Sequence, residues 1–578
     1  MINCIINGMP VSVPEGTTIL EAARILCIEI PTLCFLREIN EIGDCRICMV
    51  EVKGARHLVN SCVYPVAEGM EVETNTARVF EARKTTLELI LSTHDRKCLS
   101  CIRGGNCELQ KLCKDFKVDD ELKYVGEMPR YEYDDSAVHM YRDDNKCILC
   151  RRCVSACEKW QSVGVIGAND RGFYTNISCA FNQDLGDVPC VSCGQCIVVC
   201  PTGAIAEKDQ SGEVWEALND PGKHVIVQTS PSTRVTLGEA FGFPIGSNVK
   251  GRMVAALRRL GFDQVFDTNL AADLTIIEEA NEFVERVKGG GVLPMITSCS
   301  PGWVKFCEYY FPEFIPNLST CKSPQQMFGA IAKTWYAKRN GLDPKDIFVV
   351  GIMPCTAKKF EITRKHEAAS GMPDVDVALT TRELARMISR AGINFGILPE
   401  EEFDQPMGMA TGAGVIFGAT GGVMEAALRS AYESLAGSEP PSLDFTFVRG
   451  TKGIKEAVYK VGDMDVRVAV VSGLANARSL LNSIKNGEKT YHFIEIMGCP
   501  GGCVNGGGQP VVSAATRNFV DIKALRAKSL YDADQAMALR KAEENPVLKL
   551  VYEEFLGSPG SELAHEVLHT DFELRKRI

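Results

Sequence analysis

Long apolar runs, a surplus of basic residues and a leader-like N-terminus are all missing from this chain of 578 residues. No apolar stretch of about 18 residues occurs, so we expect no membrane-spanning helix. The formal net charge of -11 argues against a nucleic-acid partner, which would require a basic surface. Residues 1–8 contain neither a basic region nor an apolar signal run, which predicts a cytoplasmic location.

Cysteine, in contrast, is abundant, with 25 residues. In a reducing compartment this content indicates metal ligation rather than disulfide bonds. The length of the chain implies several domains, and its hydrophobic content of 45% allows sizeable cores. The spacing of the cysteines is therefore the first guide to function.

Residues 1–78 are predicted to form a small cluster-binding domain. Apolar segments on both sides of Asn7-Gly8 predict a β-hairpin, and Thr18 with Glu21 predicts a capping box at a helix start. Four cysteines follow with the spacing C-x10-C-x2-C-x13-C, close to that of plant-type ferredoxins. They are Cys34, Cys45, Cys48 and Cys62. A 2Fe-2S cluster is expected, and zinc is the alternative for four thiolates.

Residues 79–126 contain one histidine and three cysteines after a helical run from Glu81 to Ser92. The four ligands are His94, Cys98, Cys101 and Cys107. By ligand count, this set can hold either zinc or a 4Fe-4S cluster.

Residues 127–209 contain an internal repeat of C-x2-C-x2-C-x3-C, which is the pattern of bacterial two-cluster ferredoxins. In that pattern the fourth cysteine of each run ligates the other cluster. One 4Fe-4S cluster is therefore assigned to Cys147, Cys150, Cys153 and Cys200. The second is assigned to Cys190, Cys193, Cys196 and Cys157.

Four cysteines of the N-terminal half fall outside these patterns. Cys4 and Cys27 lie in the strand and helix patterns and are expected to be small core residues. Cys179 lies between the two runs and is expected to be structural. Cys113 is outside the ligand spacing and is given no role.

Residues 210–520 are predicted to form an α/β domain. Val225–Val227 and Val468–Val471 are typical of short buried strands. Val254–Leu260 and Glu425–Tyr432 are typical of helices. Residues 521–578 are expected to wrap this domain.

Within this domain, Cys499 and Cys503 are separated by three small residues, which lets the backbone approach an inorganic cluster closely. Thiolate is a soft ligand suited to iron-sulfur clusters, zinc or Cu(I). Together with Thr297–Pro301 and Met353–Cys355, this segment resembles the three signature motifs of the iron-only (FeFe) hydrogenases. The resemblance is nearly continuous from the ferredoxin runs to the end of the chain. The N-terminal segments also resemble the head of complex I large subunits.

The resemblance implies a multidomain α/β and α+β architecture. Its parts are a β-grasp 2Fe-2S domain, a one-His three-Cys 4Fe-4S segment, a two-cluster ferredoxin domain, a large α/β domain and a helical C-terminal tail. It also implies the cofactor of the large domain: a 4Fe-4S cubane linked to a di-iron unit with CO, CN and a bridging dithiolate, together called the H-cluster.

The cubane ligands implied are Cys355, Cys499 and Cys503, and the fourth position departs from the family. Where the family has two adjacent cysteines, a relay and a ligand, this chain has Cys299-Ser300. Without a gap, Cys299 keeps the proton relay and Ser300 occupies the ligand position. Alternatively, Cys299 is the ligand and the relay changes.

A proton path is also implied by the resemblance. Its residues are Cys299, Glu279, Ser319, Glu282 and Arg286. By spacing alone, residues 279, 282 and 286 share one helix face. The alternative to a proton path is that this is an ordinary solvated, charged face. Lys358 matches a lysine that donates to a cyanide, and an ordinary surface lysine is the alternative. The pocket-lining positions are Pro231, Ser232, Gln325, Met353, Phe417 and Met497; Phe417 and Met497 could equally be core residues.

The function implied is 2 H⁺ + 2 e⁻ ⇌ H₂, with electrons relayed through one 2Fe-2S and three 4Fe-4S clusters. The expected electron partner is a ferredoxin or NAD(P)-linked diaphorase subunits. A hydrogen-sensing or electron-transfer subunit that retains the scaffold is the alternative. A complex I large subunit would not explain Cys355, Cys499 and Cys503.

Two further motifs are set aside. The glycines of residues 411–414 and 418–422 do not match a nucleotide-binding loop. His565-Glu566-Val567-Leu568-His569 spells the zinc-protease signature, but no convincing third ligand follows it. We expect Ser561–His569 to form a packed or capping helix.

Overall fold

The computed structural model describes residues 1–124, 126–461 and 464–577. Its N-terminal part is a five-stranded mixed sheet of order β2-β1-β5-β3-β4, packed with one helix. The elements are β1 (Ile2–Ile6), β2 (Met9–Val13), α1 (Ile19–Ile25), β3 (Met49–Val52), β4 (Val59–Asn60) and β5 (Met70–Glu73). The predicted hairpin is confirmed, since β1 pairs antiparallel with β2 across Asn7-Gly8. Both turn residues have positive φ, as a two-residue hairpin turn requires.

The predicted capping box is also confirmed at the start of α1. The Thr18 hydroxyl accepts a hydrogen bond from the Glu21 amide at 3.3 Å, and the Glu21 carboxylate accepts one from the Thr18 amide at 3.1 Å. The expectation for Cys27 is wrong, however, because α1 ends at Ile25 and Cys27 is exposed with φ 58. Cys4 is buried in β1, as expected.

The next two segments contain short elements around the cysteines. They are α2 (Ala77–Thr93), α3 (Glu108–Asp115), β6 (Tyr133–Asp134), β7 (Met140–Asp143), α4 (Arg152–Ser155), β8 (Gly167–Asn169), β9 (Asn176–Ser178), α5 (Gln195–Val199) and β10 (Ile205–Glu207). β10, β7 and β6 form a three-stranded sheet, and β8 pairs with β9. Cys179 is fully buried between these elements, in agreement with a structural role.

The large domain contains two four-stranded sheets with helices packed on them, which confirms the α/β prediction. Its strands are β11 (His224–Thr229), β12 (Gln264–Asp267), β13 (Met295–Ile296), β14 (Ile347–Met353), β15 (Val377–Thr380), β16 (Ile454–Val461), β17 (Met464–Ser472) and β18 (Phe493–Met497). The first sheet has the order β12-β11-β14-β15 and is parallel throughout. The second has the order β13-β18-β17-β16, with only β16 antiparallel to its neighbour.

The helices of this domain and of the tail complete the chain. They are α6 (Ser211–Leu218), α7 (Pro231–Arg234), α8 (Lys250–Leu260), α9 (Asn269–Gly289), α10 (Pro301–Tyr310), α11 (Pro324–Ile331), α12 (Ala337–Asn340), α13 (Ala357–Glu361), α14 (Thr381–Arg390), α15 (Gly412–Val415), α16 (Gly422–Ala436), α17 (Leu474–Lys485), α18 (Ala514–Arg517), α19 (Ile522–Gln535), α20 (Pro546–Val551) and α21 (Glu562–Leu568). Among the described residues, no helix is long and apolar enough to cross a membrane.

The C-terminal tail packs onto the large domain by apolar and charged contacts. Side chains of α20 and α21, including Leu548 and Leu568, share a buried core with α9 and α11. Buried Arg526 of α19 pairs with Glu239 at 2.6 Å, and Asp534 pairs with buried Arg429 of α16 at 2.9 Å. Helices α19, α20 and α21 therefore contact the large domain through buried side chains, and the wrapping role of residues 521–578 stays a prediction.

Strand direction determines where the functional loops meet. The segments that follow β11, β13, β14 and β18 all leave the carboxyl ends of parallel strands. Ligands of parallel α/β sheets bind at that edge. The motifs expected to bind the cofactor are therefore brought to one region between the two sheets.

Candidate functional site

One internal cavity collects the loops at the carboxyl ends of the strands. Its volume is about 90 Å³, and its lining includes Ser300 from the loop after β13, Cys355 from the loop after β14, and Cys499 and Cys503 from the loop after β18. Well-packed protein interiors contain few voids larger than a water molecule. A thiol-lined void of this size therefore indicates a bound group.

The thiols of this cavity form one electrostatically coupled set. Burial raises the pKa of all three, and the charge of Cys355 raises the pKa of Cys499 and of Cys503 further, the latter to about 12. The charge of Lys358 lowers the pKa of Cys355 and Cys503 but does not outweigh burial, whereas a bound metal deprotonates its thiol ligands. The donor set therefore fits an iron-sulfur cubane.

Ser300 lies beside these thiols and not at the surface. It precedes α10, and its hydroxyl accepts a hydrogen bond from the amide of Gly498 at 3.1 Å. Cys299 lines the same cavity, and after burial the largest contribution that raises its thiol pKa comes from Glu279. Ser300 is therefore tied to the β18 loop that carries Cys499, whereas the Cys299 thiol is within electrostatic range of Glu279.

The rest of the cavity is lined by the positions expected from the family. Those positions are Pro231, Ser232, Gln325, Met353, Lys358, Phe417 and Met497. Ser232 Oγ and Gln325 Oε1 are buried and have no hydrogen-bond partner among the described residues. Because buried polar atoms are normally satisfied, these two are available to a ligand.

Lys358 is buried and not a surface lysine. Its ammonium group lies 2.9 Å from the Glu361 carboxylate and donates to the Cys299 carbonyl at 3.3 Å. Glu361 also accepts hydrogen bonds from Ser323 and Gln325, at 2.8 and 3.1 Å. The lysine is thereby held at the cavity wall, where a negatively charged ligand atom would find a donor.

Three consecutive glycines follow the last cysteine and allow close backbone packing. A Cβ on Gly506 would clash with the Pro354 carbonyl, and one on Gly507 would clash with the Cys193 carbonyl. The loop that carries Cys503 therefore fits between the Cys355 loop and the second ferredoxin run. No side chain larger than hydrogen can replace these glycines without moving the backbone.

Helix α9 places the expected proton-path residues on a buried face. Glu279 is only 1% exposed, and neither of its carboxylate oxygens has a hydrogen-bond partner among the described residues. Burial, followed by the charge of Glu282, raises the Glu279 pKa to about 8. A carboxyl group in this state can take up and release a proton near neutrality.

Three further side chains of the expected path lie outward of Glu279. Ser319 Oγ donates to Glu282 Oε2 at 2.8 Å, and Arg286 Nη2 donates to Glu282 Oε1 at 2.6 Å. Glu282 and Arg286 are 12% and 14% exposed in their side chains. The alternative of a fully solvated charged face is therefore wrong for this helix.

The cysteines of the N-terminal domain form two close pairs. Cys48 and Cys62 have Sγ atoms 3.2 Å apart. The thiol of Cys45 donates to Cys34, which lowers the Cys34 pKa to about 6. Two pairs of thiols, one pair for each iron, are what a 2Fe-2S cluster requires.

His94 and its three cysteines lie between α2, α3 and the ferredoxin domain. His94 is buried, and its Nδ1 atom has no hydrogen-bond partner among the described residues. Because buried polar atoms are normally satisfied, this ring nitrogen is available to a ligand.

The two ferredoxin runs line separate cavities with the fourth cysteines exchanged. One cavity is lined by Cys147, Cys150, Cys153 and Cys200. The other is lined by Cys157, Cys190, Cys193 and Cys196. The structure thus groups the cysteines as the spacing predicts, although their role as ligands stays a prediction.

Hydrogen bonds connect both N-terminal cysteine sets to the first ferredoxin set. Buried Asn40 donates to the carbonyls of Cys34 and Cys150, at 2.8 and 2.9 Å. Arg103, near the His94 set, donates to the Cys200 carbonyl at 2.9 Å. The first ferredoxin cavity therefore receives two branches.

The second ferredoxin cavity leads to the large domain. The charge of Cys499 contributes to raising the pKa of the Cys193 thiol. Gln195 Nε2 donates to the Asn505 carbonyl at 3.0 Å, and Thr356 Oγ1 donates to the Ser192 carbonyl at 2.8 Å. Asn40, Gln195 and Thr356 carry no sequence signal of their own, since their role depends on contacts between distant segments.

Family comparisons cover most of the chain. Residues 223–507 match the iron only hydrogenase large subunit, C-terminal domain, and residues 520–575 match the iron hydrogenase small subunit. Residues 1–77 match a 2Fe-2S iron-sulfur cluster binding domain, and residues 146–204 match a 4Fe-4S dicluster domain. Residues 83–121 match the iron-sulfur binding region of NADH-ubiquinone oxidoreductase-G.

Individual relatives extend over the full length. The chain is 49% identical to the NADP-reducing hydrogenase subunit HndD of Solidesulfovibrio fructosivorans, covering 100% of both chains. It is 44% identical to iron hydrogenase 1 of Clostridium pasteurianum, covering 98% of both. The solved structure of the apo [FeFe]-hydrogenase HydA1 from Chlamydomonas reinhardtii is 40% identical with a TM-score of 0.57, covering 64% of this chain and 99% of that one.

Proposed function

The chain belongs to the iron-only (FeFe) hydrogenase family, and on that premise we propose that it catalyses 2 H⁺ + 2 e⁻ ⇌ H₂ at the cavity between its two sheets. The observation that carries the proposal is the convergence of Cys355, Cys499 and Cys503 with the unpartnered atoms of Ser232 and Gln325 around one void. Such a void presents soft thiol ligands together with polar groups that have no other partner.

We propose that Ser300, Cys355, Cys499 and Cys503 would hold the cubane of the H-cluster. When bound, the H-cluster supplies the redox chemistry that joins protons and electrons. Lys358 would donate a hydrogen bond to a negatively charged ligand of that cofactor, and Phe417 and Met497 would exclude water. The protein thus contributes orientation, electrostatics and exclusion of solvent.

Cys299 and Glu279 move protons to and from the cavity in this proposal. Ser319 donates to Glu282 and would relay protons between it and Glu279, and the guanidinium of Arg286 holds the Glu282 carboxylate in place. Each transfer requires groups within hydrogen-bond reach, directly or through one water. The two unpartnered oxygens of Glu279 offer the positions for such waters.

Electrons pass through the four cysteine sets. Since the NADP-reducing relative matches this chain end to end, the proposed partners are NAD(P)-linked diaphorase subunits, with a ferredoxin as the other candidate. Electrons enter at the 2Fe-2S cluster or at the His94 cluster and meet at the first ferredoxin cluster, because both N-terminal sets contact it.

Infrared spectroscopy with a hydrogen assay tests the proposal. The matured holoprotein is expected to show bands of bound CO and CN and to turn over H₂ with a reduced or oxidised dye. Ser300 in place of a thiol favours a second candidate, a hydrogen sensor with the same cofactor. CO and CN bands without turnover would support the sensor, and absence of the bands would refute both candidates.

One 2Fe-2S and three accessory 4Fe-4S clusters are expected in the full-length protein. Replacement of His94 by Ala should remove or alter the electron paramagnetic resonance signal of one 4Fe-4S cluster and leave the others, because His94 serves one set only. His57→Ala, which removes an exposed histidine of the N-terminal domain, is the control. Zinc in stoichiometric amount, with all signals intact in His94→Ala, would contradict the assignment.

A further inference from the structure

The outer end of the proton path needs a group that Arg286 does not supply. Arg286 donates to Glu282 at 2.6 Å and to the Leu318 carbonyl at 2.7 Å. A guanidinium group does not release its proton in proteins, so it cannot accept one from solvent and pass it on. Arg286 is therefore a positioning residue, and Glu282 must exchange protons through another neighbour or directly with water.

The C-terminal tail places a histidine beside Glu282. Cys321 and His569 form an isolated antiparallel β-bridge. The amide of Lys322 donates to the Leu568 carbonyl at 2.8 Å, and the amide of Thr570 donates to the Thr320 carbonyl at 2.8 Å. This backbone pairing fixes His569 against the loop that also carries Ser319.

The distances suit a transfer through one water. A carboxylate oxygen of Glu282, the sulfur of Cys321 and a ring nitrogen of His569 all lie within 4.8 Å of one another. Thr320 Oγ1 lies 2.7 Å from His569 Nδ1, and Glu278 Oε2 lies 3.4 Å from His569 Nε2. The ring is thus held by two partners while remaining within reach of Glu282.

A second histidine leads from this position to solvent. The rings of His565 and His569 have centroids 4.2 Å apart. His565 is exposed on α21, whereas the side chain of His569 is 7% exposed. Imidazole is the side chain whose ordinary titration range lies near neutrality, which suits a proton carrier.

We propose that His565 and His569 are the proton entrance of this enzyme and that they deliver protons from solvent to Glu282. An N–H bond of the His569 imidazolium breaks, an O–H bond forms on the Glu282 carboxylate, and the neutral ring is recharged from solvent by way of His565. No electron moves in this step. The inference rests on the proposed function, because only a protein that consumes or releases protons at the buried cavity needs this route.

The same three groups could instead ligate a transition metal, since thiolate, imidazole and carboxylate all bind zinc. Arg286 argues against this, because its positive charge already pairs with the Glu282 carboxylate at 2.6 Å. Glu278 is also occupied, accepting from the Tyr552 hydroxyl at 2.5 Å and from the Gly560 amide at 3.0 Å. The arrangement is that of an oriented histidine beside a positioned carboxylate.

His569→Gln in the holoenzyme is the test, since glutamine retains hydrogen bonding but cannot carry a proton. The first readout needs no turnover: after mixing with D₂O, infrared spectroscopy follows hydrogen–deuterium exchange of the protonated Glu279 carboxyl group, assigned by its loss in Glu279→Gln. We expect Glu279 exchange and hydrogen turnover to slow by about tenfold. This effect is smaller than that expected for loss of an inner relay such as Glu279, because Glu282 is partly open to water. Added imidazole should restore both rates.

Two further variants keep the test decisive. His565→Gln changes an exposed side chain, so it preserves the fold and should slow exchange in the same direction. His57→Gln removes an exposed histidine of the N-terminal domain and should change neither rate. Unaltered Glu279 exchange in both His569→Gln and His565→Gln, or in His565→Gln alone if His569→Gln does not fold, would overturn the inference. Absence of hydrogen turnover and of CO and CN bands in the unmodified protein would instead refute the proposed function.

Discussion

Replacement of Glu279 by Gln is expected to lower hydrogen turnover by at least about a hundredfold, the usual contribution of a positioned proton-transfer group. Glu279 is buried between Cys299 and Glu282, and its raised pKa of about 8 places its proton exchange near neutrality. Glutamine retains the size and polarity of the side chain but cannot exchange a proton in this way. Turnover of the variant is measured with a dye as the electron partner, so that electron supply is unchanged.

The infrared bands of CO and CN should stay in place in Glu279→Gln, because the residue is not a ligand in this proposal. Glu285→Gln is the matched control: Glu285 lies on the same helix but is exposed and accepts a hydrogen bond from Asn281 at 3.0 Å. Near-normal turnover in Glu279→Gln would show that the buried face of α9 is structural.

Cys299→Ser is expected to abolish turnover while the H-cluster stays bound. The hypothesis is that Cys299 relays protons and Ser300 lies at the cubane. A thiol, with an ordinary pKa of about 8.5, exchanges protons near neutrality far more readily than a hydroxyl. Two observations motivate the hypothesis: the charge of Glu279 raises the pKa of the Cys299 thiol, and the Ser300 hydroxyl accepts from the amide of Gly498 beside Cys499.

Cys299→Asp should restore part of the turnover, because a carboxyl group also exchanges protons. Ser300→Cys should be tolerated with a changed cubane potential, since a thiolate is a softer ligand than an alkoxide. Cys307→Ser is the control for loss of a buried thiol, since Cys307 is a core residue that donates to the Phe311 carbonyl and is not part of the cavity lining. If iron content shows that Cys299→Ser has lost the cubane, Cys299 is the ligand and another group delivers the proton.

Local sequence determined the cysteine groupings, the N-terminal hairpin and the capping box. Each depends on residues a few positions apart, so the spacing in the sequence is enough to predict it. For example, the exchange of Cys157 and Cys200 between the two runs follows from the repeat. The three cofactor motifs were also recognisable from the sequence, through their resemblance to the signature motifs of the FeFe hydrogenases. The error at Cys27 arose where the helix ended two residues before it, at a boundary that the apolar pattern does not define.

Only the tertiary structure decided which charged residues of α9 are buried. Spacing places residues 279, 282 and 286 on one face, but whether that face meets water depends on α11, α16 and the C-terminal tail, which pack against it from distant parts of the chain. For the same reason, the sequence presents His565 and His569 only as an incomplete protease motif. The bridge between Cys321 and His569 brings the C-terminal tail to Glu282, although the two segments are far apart in the sequence. The burial of His569 and its access to Glu282 both depend on this tertiary contact.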